Sequence, residues 1–202
     1  MLVRDLRPRA PTGALVLGAT LLVSVAGPLS AQAPDSLRLI QSVTPLSGPP
    51  GTLVSVYTEN LPLQARVHVG VGSTGAGFEA LGEGTQTEFG EVTASVRIPD
   101  GATWDKPLVV IIFNGNFSPT GLSHPFHVTD GAGRVQRRGL ITEEGGPCAT
   151  MRDGDGYLYA LREAPNDLRP GQMVTVEGRY AETSECGEVS TIEIARVARG
   201  EP

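Results

Sequence analysis

The chain is poor in aromatic residues, at 5% of 202, and has one tryptophan, three histidines and two cysteines. Three histidines and two cysteines are too few for a metal-binding framework of repeated Cys and His pairs. Two cysteines also lack the close Cys-x-x-Cys spacing of a redox centre. Lysine occurs once, at Lys106, and the rest of the positive charge is arginine. Beyond the first thirty residues no window sustains a helical period, so a helical bundle is excluded. What is abundant is glycine and proline, 26 and 16 residues, set between short apolar runs. That combination predicts turns and strands, an all-β protein.

Residues 1 to 33 have the layout of a secretory signal. Arg4, Arg7 and Arg9 form a basic start, residues 13 to 27 an apolar core, and Ala31-Gln32-Ala33 a small-residue cleavage site. The apolar run falls short of the roughly 20 residues that a spanning helix needs. The mature chain is therefore expected outside the cytoplasm, with no membrane span. It keeps 13 basic against 21 acidic residues, a net charge of about −8. Such acidity opposes attraction to nucleic acid and to anionic lipid.

Pro45-Leu46-Ser47-Gly48-Pro49-Pro50-Gly51-Thr52 predicts a rigid turn between two strands, Leu39 to Val43 and Leu53 to Thr58. Arg66 to Val71 follows as a strand and Gly77 to Leu81 as a short edge strand, joined by a flexible connection containing Gly70, Gly72, Gly75 and Gly77. Val92, Ala94, Val96 and Ile98 alternate with Thr93, Ser95 and Arg97, the cleanest period of two in the chain. Leu108 to Phe113 reads as a strand covered on both sides, and His124 to Thr129 closes the module. About seven strands in residues 38 to 130 predict a sandwich of the immunoglobulin type, without the Cys-Trp-Cys signature of antibody domains.

Ile40 to Pro45, Ser47 to Thr52, Val54 and Val56, Val69-Gly70, the Val92 to Pro99 strand and Phe126 to Thr129 together resemble the IPT/TIG immunoglobulin-like family. Thr58-Glu59-Asn60 departs from the glycine usual there, and residues 73 to 90 form an insertion. The resemblance implies a spacer, a binding surface or an enzyme accessory, and brings no catalytic residues.

After a polar hinge at 131 to 134, five further strands are expected within residues 135 to 202: Val135 to Thr142, Cys148 to Arg152, Tyr157 to Leu161, Gln172 to Tyr180 and Val189 to Val197. Five strands in under 70 residues predict a small closed barrel. The step from Leu168-Arg169-Pro170-Gly171 into Val174 to Gly178, with Gly139-Leu140-Ile141 and Asp155 to Leu161, resembles small secreted OB-like barrels. Each module is expected to fold alone. Cys148 and Cys186 share the second module of a chain expected to be exported, which predicts a disulfide.

Candidate sites are few. His124 and His127 flank Pro125-Phe126 and read as surface histidines at a strand start, and no metal site is expected. Trp104, Phe113 and Phe117 read as loop or core anchors, with an exposed glycan- or peptide-binding patch as the alternative. Asp153-Gly154-Asp155-Gly156 reads as a hairpin turn, since the further oxygen ligands of a calcium loop are missing. Tyr157 and Tyr159, with Arg179, form the weak candidate for a stacking surface. No cofactor and no catalytic residue is expected. The functional expectation is a noncatalytic exported binding or assembly module for a protein or glycan partner. An oligosaccharide-binding or hydrolase-accessory protein comes second, and an enzyme with a dispersed site third.

Overall fold

A computed structural model describes residues 37–200 except 60, 64–65, 74–76, 145–146, 184 and 188–189. The segment read as a signal lies outside the described residues. Ten strands form the first part: β1 (Arg38–Leu39), β2 (Ser42–Thr44), β3 (Ser47–Gly48), β4 (Leu53–Thr58), β5 (Val67–Ser73), β6 (Gly77–Gln86), β7 (Val92–Arg97), β8 (Pro107–Asn114), β9 (Pro119–Leu122) and β10 (Phe126–Val128). The period of two is realised in β4 and β7, where every second residue is buried. Val54 and Val56 pair with Val96 and Ala94, so both strands send one row of apolar side chains inward.

The strands form one curled sheet in the order β1-β9-β8-β5-β6-β7-β4-β2, with β10 attached to β8 and β3. β6 makes the curl. Its first residues, from Gly77 to Gly84, pair with β5, and Thr85 and Gln86 pair with β7. Two leaves thus enclose a core that includes Val54, Val69, Val92, Ile98, Val110, Ile112 and Phe126. This is the expected immunoglobulin-like sandwich.

Several local expectations change. The run from Leu39 to Val43 is two strands, because the chain crosses between leaves at Ile40 and Gln41: β1 pairs with β9 and β2 with β4. The segment from Gly77 is a ten-residue interior strand, not a short edge. Gly70 and Gly72 lie within β5, where a Cβ would collide with the backbone of β6. They permit close strand approach and are not a flexible connection.

Five more strands, β11 (Val135–Thr142), β12 (Ala149–Asp153), β13 (Leu158–Arg162), β14 (Met173–Ala181) and β15 (Ser190–Arg199), close a barrel in the order β11-β12-β13-β15-β14. β13 and β15 run parallel and every other pair is antiparallel. This is the small OB-like barrel that the sequence predicts. β11 pairs with both β12 and β14, changing partners around Gly139. At Gly178 the β14–β15 ladder shifts register, and a Cβ there would strike the carbonyl oxygen of Glu193. The barrel core gathers Val135, Ile141, Met151, Tyr159, Leu161, Val174, Val176 and Ile192.

Between the two parts, Asp130 closes a turn. Its carboxylate accepts the N–H groups of Ala132 and Arg134 and pairs with the Arg134 guanidinium at 2.7 Å. These backbone bonds, first that of Arg134, hold the Asp130 carboxyl below its usual range. Sandwich and barrel fall within one compact unit.

Candidate functional site

His127, read from the sequence as a surface residue, is fully buried. Its strand carries three consecutive buried residues, Phe126, His127 and Val128. An alternating strand buries such a run only if something covers its second face, and the barrel does so. The His127 ring stacks on Tyr180 at 4.2 Å and meets Tyr159 edge-on at 5.9 Å.

Arg137, from the first barrel strand, is the largest fully buried side chain among the described residues. It donates to the carbonyl of Trp104 at 2.7 Å, to that of Gln136 at 2.6 Å and to the Tyr159 phenol at 3.3 Å. Its Nη2 lies 3.3 Å from Nδ1 of His127. Among the described residues it forms no ion pair. The charge is met by carbonyl and phenol oxygens supplied from both parts of the chain.

This arrangement settles the His127 tautomer. A guanidinium has donors only, so Nδ1 must accept and the proton of the neutral ring sits on Nε2. Nε2 lies 3.2 Å from the Ser190 hydroxyl and donates to it. A Ser–His pair in hydrolysis needs the reverse, with the imidazole accepting the serine proton and a carboxylate orienting the far nitrogen. Burial, and then the adjacent Arg137, lower the His127 pKa to about 3. The imidazole therefore stays neutral and serves as a fixed donor. The Tyr180 phenol has its pKa raised chiefly by burial and next by Glu182.

Ser190 and Tyr180 are at the same time part of the lining of a cleft of about 650 Å³ between sandwich and barrel. On the sandwich side the cleft takes in the whole run from Ile40 to Thr44, with Leu46, His124 and Pro125. On the barrel side it takes in Tyr157, Leu158, Tyr180, Ala181, Glu182, Gly187 and Ser190. Its volume lies within the 300–1,000 Å³ of ordinary ligand sites. Glu182 is its single carboxylate among these residues.

The sequence candidates separate. Tyr159 is buried in the barrel core, Tyr157 packs against that core and borders the cleft, and Arg179 is exposed. Arg179 alternates with the inward-facing Gly178 and Tyr180, so it leaves the barrel wall on the side opposite the tyrosines. The three do not make one stacking surface. Trp104 lies at the junction under Arg134, whose guanidinium carbon is 5.7 Å from the ring centroid. Phe117 instead stacks on His68 at 4.4 Å, and Phe113 meets Phe78 at 4.3 Å. His68 and Phe113 are ladder partners, so four rings lie together on the outer side of the β8–β5–β6 leaf, with Phe78 and Phe117 half exposed.

The Asp153 carboxylate accepts the N–H groups of Asp155 and Tyr157, closing the turn that joins β12 to β13. Cys148 and Cys186 form the expected disulfide, with Cα atoms 5.4 Å apart. Among the described residues, no group of three or more His, Cys, Asp and Glu side chains is placed to hold a metal ion. No helix there is long and apolar enough to cross a membrane. No protein-family model matches the chain, and no curated protein matches it.

The His127–Arg137–Ser190 cluster gave little signal in sequence. Its members are separated by up to 63 positions, and each alone is an ordinary strand residue.

Proposed function

We propose that the protein is a noncatalytic binding or assembly module acting outside the cytoplasm, and that it binds its partner in the cleft between sandwich and barrel. The observation that carries this is the contact of His127 with the cleft-lining Ser190, in which Arg137 at Nδ1 leaves Nε2–H as the donor. Among the described residues, the one contact of a serine hydroxyl with a histidine ring at the cleft has the orientation that holds two parts of the chain together, not the one that activates a nucleophile. Export is supported by the disulfide and by the layout of residues 1 to 33. The IPT/TIG-like pattern of the first module supports an interaction role.

Site-specific photocrosslinking in the native host tests this reading. A photoreactive residue in place of Leu158, on the cleft wall, is expected to give an adduct heavier than the protein itself. The same residue in place of Arg162, exposed on the barrel, is expected to give none. Adducts at Arg162 alone would place the partner elsewhere. Turnover of a chromogenic ester lost in Ser190→Ala would instead make the protein a hydrolase.

A second reading, oligosaccharide binding, is favoured by the four-ring row of Phe117, His68, Phe113 and Phe78. Phe78 and Phe117 are the half-exposed members of the row, and such rings suit the apolar faces of sugar rings. Retention on a glycan array lost in a Phe78→Ala, Phe117→Ala double variant would support it over the cleft.

A further inference from the structure

The cleft has an unusual wall. A strand that presents one face to a cavity contributes every second residue. Here Ile40, Gln41, Ser42, Val43 and Thr44 contribute consecutively, so the cleft runs along the edge of β2 and not over one of its faces. β2 ends the strand order of the curled sheet. It pairs with β4 through Ser42, Val43 and Thr44, and among the described residues no strand pairs with its other side.

The opposite wall repeats this feature. β14 pairs with β11 only as far as Gly178, opposite Val135. From Arg179 to Ala181 it pairs, among the described residues, with β15 alone. Tyr180 and Ala181, which border the cleft, therefore also belong to a strand segment with one free side. Two unpaired strand edges, one from each part of the protein, border the same cavity. Unpaired edges present N–H and C=O groups at the spacing of an extended chain.

We infer that the cleft takes an extended peptide segment of a partner protein, which adds as a strand to the free edge of β2. This rests on the reading of the cleft as the binding site and specifies its occupant. Main-chain hydrogen bonds to the edge would provide affinity, and alternate side chains would enter the cleft. The pocket lining is mixed, with Leu46, Pro125 and Leu158 apolar and His124 and Ser190 polar, and among the described residues its one carboxylate is Glu182. The segment is thus one with no proline in the pairing stretch and no acidic residue opposite Glu182, its inward side chains meeting both apolar and polar wall. The neutral His127, held between Arg137 and Ser190, keeps the two walls in fixed register beneath it.

The test uses a phage-displayed library of random heptapeptides panned on the full-length mature protein, with the selected peptides then synthesised. Two cleft-filling variants, Ala181→Tyr and Ser42→Arg, are first checked for unchanged melting, so that either can serve if the other misfolds. Both are expected to weaken the selected peptides tenfold or more, whereas Phe117→Ala leaves them unchanged. N-methylation of alternate peptide amides is expected to separate by parity. Methyl groups on amides facing β2 weaken binding tenfold or more, and those on the other parity change it less than threefold. Equal tolerance at both parities overturns strand addition, even where crosslinking at Leu158 has upheld the cleft as the binding site. Selected peptides that survive both filled clefts, or a library that yields no peptide, also overturn it.

Discussion

Nη2 of Arg137 stands 3.3 Å from Nδ1 of His127, and both side chains are fully buried between sandwich and barrel. A histidine placed against a cation in this way is built to remain uncharged. The contact therefore ties the integrity of the junction to pH.

The first prediction follows from that tie. An unfolded histidine titrates near 6.5, while His127 in the fold is held to about 3 by burial and by Arg137. Its contribution to stability is complete above about pH 6.5 and is lost as pH falls from there towards 3. In that window the folded state should weaken by about tenfold per pH unit from this residue alone. Urea midpoints measured between pH 7 and pH 4 should show the slope, and His127→Gln should flatten it. An equally steep profile in His127→Gln would assign the acid sensitivity to other groups.

Arg137→Ala is predicted to cost about 1 to 3 kcal/mol, because it leaves the buried His127 Nδ1 without its donor and leaves the Trp104 carbonyl with the Gln136 N–H alone of its two donors. The side chain bonds Trp104 on the sandwich and Tyr159 in the barrel, so it couples the two parts. Wild-type protein should melt in a single calorimetric transition and the variant in two. The variant should also lose part of the acid slope, since removing the guanidinium removes one of the two causes that depress the His127 pKa. Two transitions already present in wild type would mean that the junction does not couple the parts.

Much of this fold is legible locally, and the reasons for the exceptions are physical. The strict alternation in Val92 to Ile98 can only be a half-buried strand, and it is one. The split between β1 and β2 leaves no local mark, because Ile40 points into the core whichever leaf its neighbours join. β6, with its sequence GFEALGEGTQ, has too few apolar residues to show its length, and β9 is four residues containing a proline and a glycine. His127 was hidden for a different reason. Its burial comes from Arg137, Tyr159, Tyr180 and Ser190, all in the barrel, and a period of two within one strand says nothing about a second layer.

Gly178→Ala is predicted to destabilise the barrel by about 2 to 4 kcal/mol, since the added methyl group meets the Glu193 carbonyl and the two strands must separate to admit it. Gly131→Ala, where a Cβ meets nothing, is the matched control. Chemical denaturation of the two variants side by side decides the point. Equal midpoints would show that the β14–β15 bulge yields without cost.

The last prediction concerns the bond between Cys148 and Cys186. Cys148 stands immediately before β12, and Cys186 lies in the connection from β14 to β15, so the bridge ties the barrel's closing strand to an early one. The enclosed separation is 38 residues, for which chain entropy gives about 4 kcal/mol of stabilisation. A core as small as the barrel's has little to replace it. Reduction, or the Cys148→Ser, Cys186→Ser double variant, should therefore lower stability by about 2 to 5 kcal/mol. In wild type the loss should appear in the single shared transition, because the junction transmits it. In the Arg137→Ala background it should appear in the barrel transition alone, since the sandwich contains no cysteine. Calorimetry with and without reductant in both backgrounds separates these outcomes. A sandwich transition that still moves after the Arg137 link is cut would show that the two parts are held together by contacts other than those of Arg137.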